Sequence, residues 1–328
     1  MDLTTTYLGL ELANPIVPGA SPLVAKPGDA RRLEDAGAAA LVLHSLFEEE
    51  IEREVASHLE AEAHTESFAE ALSYLPELRQ HLGPNQYLDL LHDVKEAVDI
   101  PIIGSLNGTT PGGWTSYAKK IEDAGADAIE LNTYHFATDP DETGLEVENR
   151  TLEVVRSVKQ SVGIPVAVKL SPFYSSFVNF AKKIREAGAD GIVLFNRFYQ
   201  PDIDIEELDV TPDLKLSTSD ELRLRLRALA LVSGRVDLSL GVTGGVHTAV
   251  DVIKALMAGA HATQMVSALL THGEEHIGRT LKALEFWMEE HEYDSVGQMR
   301  GSMSLAKVPN PTALIRGNYV KVLESWEG

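Results

Sequence analysis

Short apolar runs alternate with mixed polar–apolar stretches of helical period along this chain, and two punctuation patterns separate them. In the first, Ala-Gly-Ala ends a helical stretch and opens an apolar run. Ala36-Gly37-Ala38 precedes Ala40–Leu43, Ala124-Gly125-Ala126 precedes Ala128–Leu131, Ala187-Gly188-Ala189 precedes Gly191–Phe195, and Ala258-Gly259-Ala260 precedes Ala262–Val266. Gly just beyond a helix supplies the left-handed backbone of a C-cap, and its small neighbours let the next strand start at once. In the second pattern a Pro stands at the mouth of the run, as in Asn14-Pro15-Ile16-Val17, Ile100-Pro101-Ile102-Ile103 and Ile164-Pro165-Val166-Ala167-Val168, where its missing N–H costs little. A fourth run, Val236–Val242, belongs to this set without the Pro. The two kinds alternate along the chain, giving eight strands with helices between them. This is the signature of a parallel α/β protein, and eight units predict a closed (β/α)8 TIM barrel. An open doubly wound sheet is the alternative, but the punctuation persists to the eighth strand.

Helices are expected near 28–36, 114–124, 145–162, 175–187, 218–233, 247–258 and 274–291. Residues 3–13 alternate and turn at Gly9, which predicts an N-terminal hairpin plugging the barrel floor. Two connections exceed a simple turn: Leu46 to about Gly83, with a helical acidic stretch over Glu48–Glu62, and Arg197–Ser217, with Asp202, Asp204, Glu206, Glu207 and Asp209. They follow the second and sixth strands and leave their carboxyl ends, the face on which barrels carry chemistry.

The 328 residues read as a single domain over 1–328, with no linker or low-complexity block. A net charge of −22 argues against nucleic-acid and anionic-membrane partners. With no Cys there is no disulfide framework, thiolate metal site or Cys nucleophile. The opening Met1-Asp2-Leu3 lacks a secretory pattern and no run reaches membrane-span length, so a soluble cytoplasmic protein is expected.

The strand ends carry the candidate chemistry: Ala20-Ser21, His44-Ser45, Asn107, Asn132-Thr133-Tyr134-His135, Lys169, Asn196-Arg197, Thr243-Gly244-Gly245 and Ser267. These groups are amides, hydroxyls and cations without a carboxylate, a set suited to a flat polyoxygenated ligand. Gly244-Gly245 before a helix start at His247-Thr248 predicts a phosphate site completed by Val266 and Ser267. Lys169, in an otherwise apolar strand, must reach the pocket as a Schiff-base nucleophile or as the partner of a delocalised anion; the asparagines favour the second. Arg197 either clamps a substrate carboxylate or pairs with the acidic loop.

On Asn14-Pro15 with Gly19-Ala20-Ser21, Glu130-Leu131-Asn132, Val168-Lys169-Leu170-Ser171-Pro172, Asn196 and Thr243-Gly244-Gly245-Val246, the chain resembles the dihydroorotate dehydrogenase family over nearly its whole length. The resemblance, closest to class 1, implies FMN across the barrel top. Ala20 and Ser21 would border the isoalloxazine, and His44, Asn107, Asn132 and Asn196 would contact flavin. Lys169 would stabilise the reduced ring, and Gly244, Gly245, Val266 and Ser267 would hold the phosphate. Asn132 and Asn196 would face the substrate, beside Arg197 whose place next to Asn196 makes it a further substrate candidate, and a homodimer is implied, with loops and the tail from Pro309 as candidate interface. Four departures stand out. His44 replaces a family Lys, His135 stands where the family base is Cys or Ser, Ala137 replaces a family Asn that contacts substrate, and a glycine pair after the sixth strand is replaced near Ser217-Thr218-Ser219. His135, or its neighbour Tyr134, is the candidate for proton transfer. The expected function is therefore FMN-dependent oxidation or reduction of a CH–CH bond next to a carbonyl, with dihydroorotate or a related substrate. The rivals are a flavin- or phosphate-binding barrel without that activity, and a non-redox sugar-phosphate lyase or synthase.

Overall fold

The computed structural model describes residues 1–48, 50–51, 83–107, 114–133, 135–197, 201–211, 214–315 and 324. The chain opens with a hairpin of β1 (Thr5–Tyr7) and β2 (Leu10–Leu12), turning at Leu8-Gly9. The alternating elements follow: β3 (Ile16–Pro18), α1 (Pro27–Asp35), β4 (Leu41–Phe47), α2 (Pro84–Ala97), β5 (Ile102–Asn107), α3 (Trp114–Asp123), β6 (Ala128–Asn132), α4 (Gly144–Ser161), β7 (Val166–Leu170), α5 (Phe177–Glu186) and β8 (Gly191–Leu194). A small ribbon of β9 (Asp202–Asp204) and β10 (Asp209–Thr211) intervenes before α6 (Leu222–Val232), β11 (Ser239–Thr243), α7 (Ala249–Ala258), β12 (Ala262–Met265), α8 (Ser267–His272) and α9 (His276–Glu290).

Eight parallel strands pair in the order β3-β12-β11-β8-β7-β6-β5-β4. The seam between β3 and β4 is bridged by the Ala39 amide donating to Ile16 O at 3.1 Å, so the sheet curls into the expected (β/α)8 barrel. The Ala-Gly-Ala phrases do what their chemistry predicts. Gly37, Gly125, Gly188 and Gly259 take φ of +102°, +100°, +105° and +121°, and the residue after each donates back into its helix, as Ala38 N does to Leu33 O at 3.0 Å. Four helices thus end in the same way, and each hands the chain to the next strand within three or four residues.

The hairpin plugs the floor as expected. Tyr7, Leu8 and Leu12 are buried against Val17, Val42, Ile103, Ala128, Ala167, Val193 and Ala262, the lowest inward-facing layer of the barrel. Two strand glycines make room: a Cβ at Gly191 would lie 2.5 Å from Leu8 Cδ2, and one at Gly241 would lie 2.8 Å from Tyr7 Oη.

Helix α2 was not anticipated from the sequence; it starts at Pro84, a residue suited to the first helical turn, and buries Tyr87, Leu90, Leu91 and Val94. Of the acidic stretch expected to be helical, Glu48, Glu50 and Ile51 are helical, and 52–82 lie outside the described residues. The second long connection forms the β9–β10 ribbon, with Ile203 opposite Val210 and both exposed. Among the described residues no helix is long and apolar enough to cross a membrane.

Candidate active site

The layer above the plug decides the chemistry. Barrel interiors are usually filled by branched apolar side chains. Here Glu130 on β6, Lys169 on β7 and Gln264 on β12 all occupy the interior and are all buried. Alternation puts Glu130 on the same face of β6 as Ala128 below and Asn132 above, and Lys169 on the same face of β7 as Ala167. Lys169 Nζ donates to Glu130 Oε1 at 3.0 Å, and Gln264 Nε2 donates to the other carboxylate oxygen. A buried ammonium is tolerated only with such a partner. The expectation that no carboxylate serves this site is therefore corrected: Glu130 lies one layer below the strand ends, and it neutralises Lys169. Burial, followed by the nearby Glu130 charge, pushes the Tyr7 phenol well above its ordinary pKa, so Tyr7 remains neutral beneath the pair. Tyr7 Oη and Gln264 Oε1 have no hydrogen-bond partner among the described residues.

Above this layer a cavity of about 660 Å³ opens at the carboxyl ends of the strands, within the usual range for small-ligand sites. Of the residues predicted from sequence, it is lined by Ala20, Ser21, His44, Asn132, Lys169, Asn196, Arg197, Gly244, Gly245, Val266 and Ser267. Asn107 ends β5 half-buried and is not among the lining residues. Tyr134 lies outside the described residues. His135 is placed elsewhere, in a separate open depression with Phe136, Asp139, Glu142 and Arg150. There its Nε2 lies 2.5 Å from Arg150 Nη1 and 3.4 Å from Glu142 Oε2, while Arg150 Nη2 is paired with Glu142 Oε1.

Several lining residues escaped the sequence reading. Gln264 carries the same signal as Lys169, a long polar residue inside an apolar strand. Ser45, expected from sequence with His44 at this strand end, lines the cavity beside it because of an irregularity in β4. There the register with β5 slips between Val42 and Ser45, and the extra residue turns both side chains toward the pocket. Ser45 Oγ then meets Ser105 Oγ at 2.8 Å, and the His44 ring stands edge-on to Tyr87, with centroids 5.2 Å apart. Phe47, Phe195, Leu214, Leu216 and Leu270 form apolar walls. At the mouth, Asn196 Nδ2 donates to Asn132 Oδ1 at 2.7 Å. That bond leaves the Asn132 amide hydrogens and the Asn196 carbonyl available to a ligand. Arg197 stands 3.9 Å from Glu221, not against an acid of the β9–β10 ribbon.

The Gly244-Gly245 turn is a backbone cradle. Both residues have positive φ, +80° and +85°, and a Cβ at Gly245 would lie 2.4 Å from the Leu222 amide nitrogen. Arg225, buried on α6, braces the turn from behind by donating Nε to Thr243 O at 2.5 Å and Nη1 to Glu221 O at 2.6 Å. Burial lowers its pKa from the ordinary arginine value. In front, the Ser217 and Ser267 hydroxyls meet at 2.9 Å, and Gly245 N–H points to Ser217 Oγ at 3.4 Å. Donors converging on one end of an otherwise apolar slot suit a small anion.

Fold and site together define a (β/α)8-barrel enzyme with its chemistry at the carboxyl ends of the strands. A dihydroorotate dehydrogenase family model matches residues 79–288, more than half of the chain, and the chain belongs to that family. It is accordingly an oxidoreductase of the dihydroorotate dehydrogenase type. Among its relatives is the dihydroorotate dehydrogenase B (NAD(+)) catalytic subunit of Thermoplasma volcanium, 28% identical over 92% of this chain and 98% of the relative. The proteins of the same description from Methanothermobacter thermautotrophicus and Pyrococcus abyssi are 30% and 31% identical, covering 62% and 63% of this chain and 69% and 70% of the relatives.

Proposed function

We propose that this chain is a single-domain FMN-dependent oxidoreductase that acts on a CH–CH bond next to a carbonyl. Its substrate is dihydroorotate or a related molecule. The observation carrying this reading is the buried Lys169–Glu130 pair at the base of a slot that ends in the Gly244-Gly245 cradle. The residues present fit FMN. The left-handed glycines and two serine hydroxyls suit a phosphate, and the apolar walls suit a flat ring. The unpartnered Gln264 Oε1, the asparagine amides and one ammonium suit the ring's polar edge.

Bound FMN supplies a two-electron acceptor for hydride from the substrate carbon. The side chains around it divide the remaining work. Lys169 offers a positive charge at the base of the slot, held in place by Glu130, where it favours negative charge developing nearby. Asn132 and Asn196 present amide donors and a carbonyl that orient the substrate ring. Arg197 at the mouth offers a guanidinium to a substrate carboxylate. We assign the proton to His44, the only histidine among the described lining residues; a neutral imidazole suits proton transfer near neutral pH. His135, tied to Arg150 and Glu142, is the rival for that role.

The placement of His135 favours a second reading for the substrate alone: the flavin site is retained, while the molecule oxidised or reduced differs from dihydroorotate. In either case the protein works as a cytoplasmic homodimer. The exposed Ile203, Leu208 and Val210 of the β9–β10 ribbon support association of two copies. The test is direct. Purified protein should be yellow and release FMN on denaturation, and anaerobic dihydroorotate should bleach it. Colourless protein with no affinity for added FMN overturns the whole reading; bound FMN that dihydroorotate leaves oxidised overturns only the named substrate.

A further inference from the structure

In this chain the turn before α6 carries Ser217-Thr218-Ser219 where the family resemblance leads one to expect a glycine pair. Ser217 is nonetheless buried, and it lies at the centre of the anion-facing cluster. Its amide and its hydroxyl both donate to Ser267 Oγ, at 3.1 and 2.9 Å, and Gly245 N–H reaches Ser217 Oγ at 3.4 Å. A third partner stands behind it: His247 Nε2 is 3.1 Å from Ser217 Oγ. His247 is half-buried, and its backbone is locked from two sides. Its amide donates to Asp251 Oδ2 at 3.1 Å, and its carbonyl lies 2.6 Å from His276 Nε2.

The direction of the Ser217–His247 hydrogen bond decides what Ser217 can offer to a ligand. When Nε2 lacks a proton, it competes with Ser267 Oγ for the one Ser217 hydroxyl hydrogen, and that hydrogen is withheld from the cavity. When Nε2 carries a proton, it donates to Ser217 Oγ, and the hydroxyl is freed to donate outward. A fully protonated ring also brings a positive charge to this end of the slot, in a chain whose net charge is −22.

We propose that Ser217 and His247 form a proton-coupled half of the phosphate clamp, in which His247 turns the Ser217 hydroxyl toward a bound phosphate monoester. The proposal rests on the FMN reading above and names residues that bind the phosphate of that ligand. Binding a phosphate dianion here draws a proton onto His247, so affinity for the phosphorylated ligand rises as pH falls toward neutrality.

The electrostatic surroundings are consistent with a ring that is mainly neutral before the anion arrives. Burial lowers the His247 pKa below the ordinary imidazole value. Asp251 on α7 and Glu221 before α6 act in the opposite direction, and His272 on α8 adds to the lowering. His276 on α9 touches only the carbonyl, and the Arg225 guanidinium on α6 sits behind Gly244.

The experiment compares FMN with riboflavin, which lacks the phosphate, by titrating apoprotein and following flavin fluorescence at pH 7 and pH 8.5. Both pH values lie above the second phosphate ionisation, near pH 6, so the ligand remains mainly dianionic. For the wild type, FMN should bind about threefold or more tightly at pH 7 than at pH 8.5, with riboflavin unchanged. His247→Gln should remove that pH dependence and weaken FMN binding about tenfold at pH 7, again with riboflavin unchanged. Ser217→Ala leaves the imidazole in place and should produce the same pair of losses, which keeps the test decisive if the glutamine variant folds poorly. Wild-type FMN affinity that is level across this pH range, or retained in both variants, overturns the clamp and leaves the FMN reading standing. A wild-type chain that binds neither flavin overturns both.

Discussion

Two regions of the carboxyl-terminal face are built in opposite ways. The side to which we assign the flavin is carried by strands and by turns locked to them. Lys169, Glu130 and Gln264 stand on β7, β6 and β12, each buried and each engaged with another. Gly244 and Gly245 are braced from behind by Arg225. The other region is the loop from β6 to α4, where His135 and Glu142 pair with each other and with Arg150 of α4. On a strand, the ladder fixes where a side chain points, and burial forbids removing one partner of an ion pair without a cost of about 3–5 kcal/mol. A loop has neither constraint, so its residues can change while the barrel stays intact. The strand-borne groups are fixed by the barrel itself, whereas His135 is held only by its neighbours on the β6–α4 segment.

The comparison can be broken most severely at Lys169. Lys169→Ala should retain flavin colour but slow flavin reduction by substrate by about 10²–10³-fold. It should also lower the melting temperature, because Glu130 is left buried without its countercharge, with only the Gln264 amide still donating to it. A variant reduced at the wild-type rate would mean that the strand-borne half does no chemistry. Next come the two histidines, measured side by side by anaerobic stopped flow. His44→Gln should cost about 10²-fold in the reductive step, and His135→Gln less than about threefold. The reverse order would move the proton back to the loop and erase the contrast between the regions.

Gly245→Ala tests the cradle. At a φ of +85°, with a backbone nitrogen 2.4 Å from the new Cβ, it should destabilise the protein by about 1–3 kcal/mol, read from thermal melts, and release FMN. Glu130→Gln is the mildest. It keeps a side chain of similar shape beside Lys169 but removes the countercharge. The midpoint potential of bound flavin, measured by dye equilibration, should rise on the order of 30 mV. An unchanged or lowered potential would show that Glu130 does not govern the charge that Lys169 presents.

Much of this was available from local chemistry. Ala-Gly-Ala at four helix ends announces the barrel because a left-handed C-cap needs only the residues around it. Lys169 in Val166–Leu170 declares itself because an ammonium in an apolar strand has few places to go. Gly244-Gly245 marks the anion end for a similarly local reason. The tertiary structure alone decided the rest. Whether Lys169 meets a carboxylate depends on the register of β7 on β6: its ladder partner is Asn132, and Glu130, two residues down the same face, is what its ammonium reaches back to. The slip between β4 and β5 that turns both His44 and Ser45 to the cavity is a property of two strands together. Asn107 ends its strand as expected yet stays off the cavity lining. His135, two residues past Thr133, leaves the site because Arg150 and Glu142, from beyond the turn, hold it. Sequence determined the elements and the side chains that must be buried, since those follow from backbone preference and hydrophobicity over a few residues. Register, cross-barrel partners and loop direction required the folded chain, because each is set by contact between segments far apart in sequence.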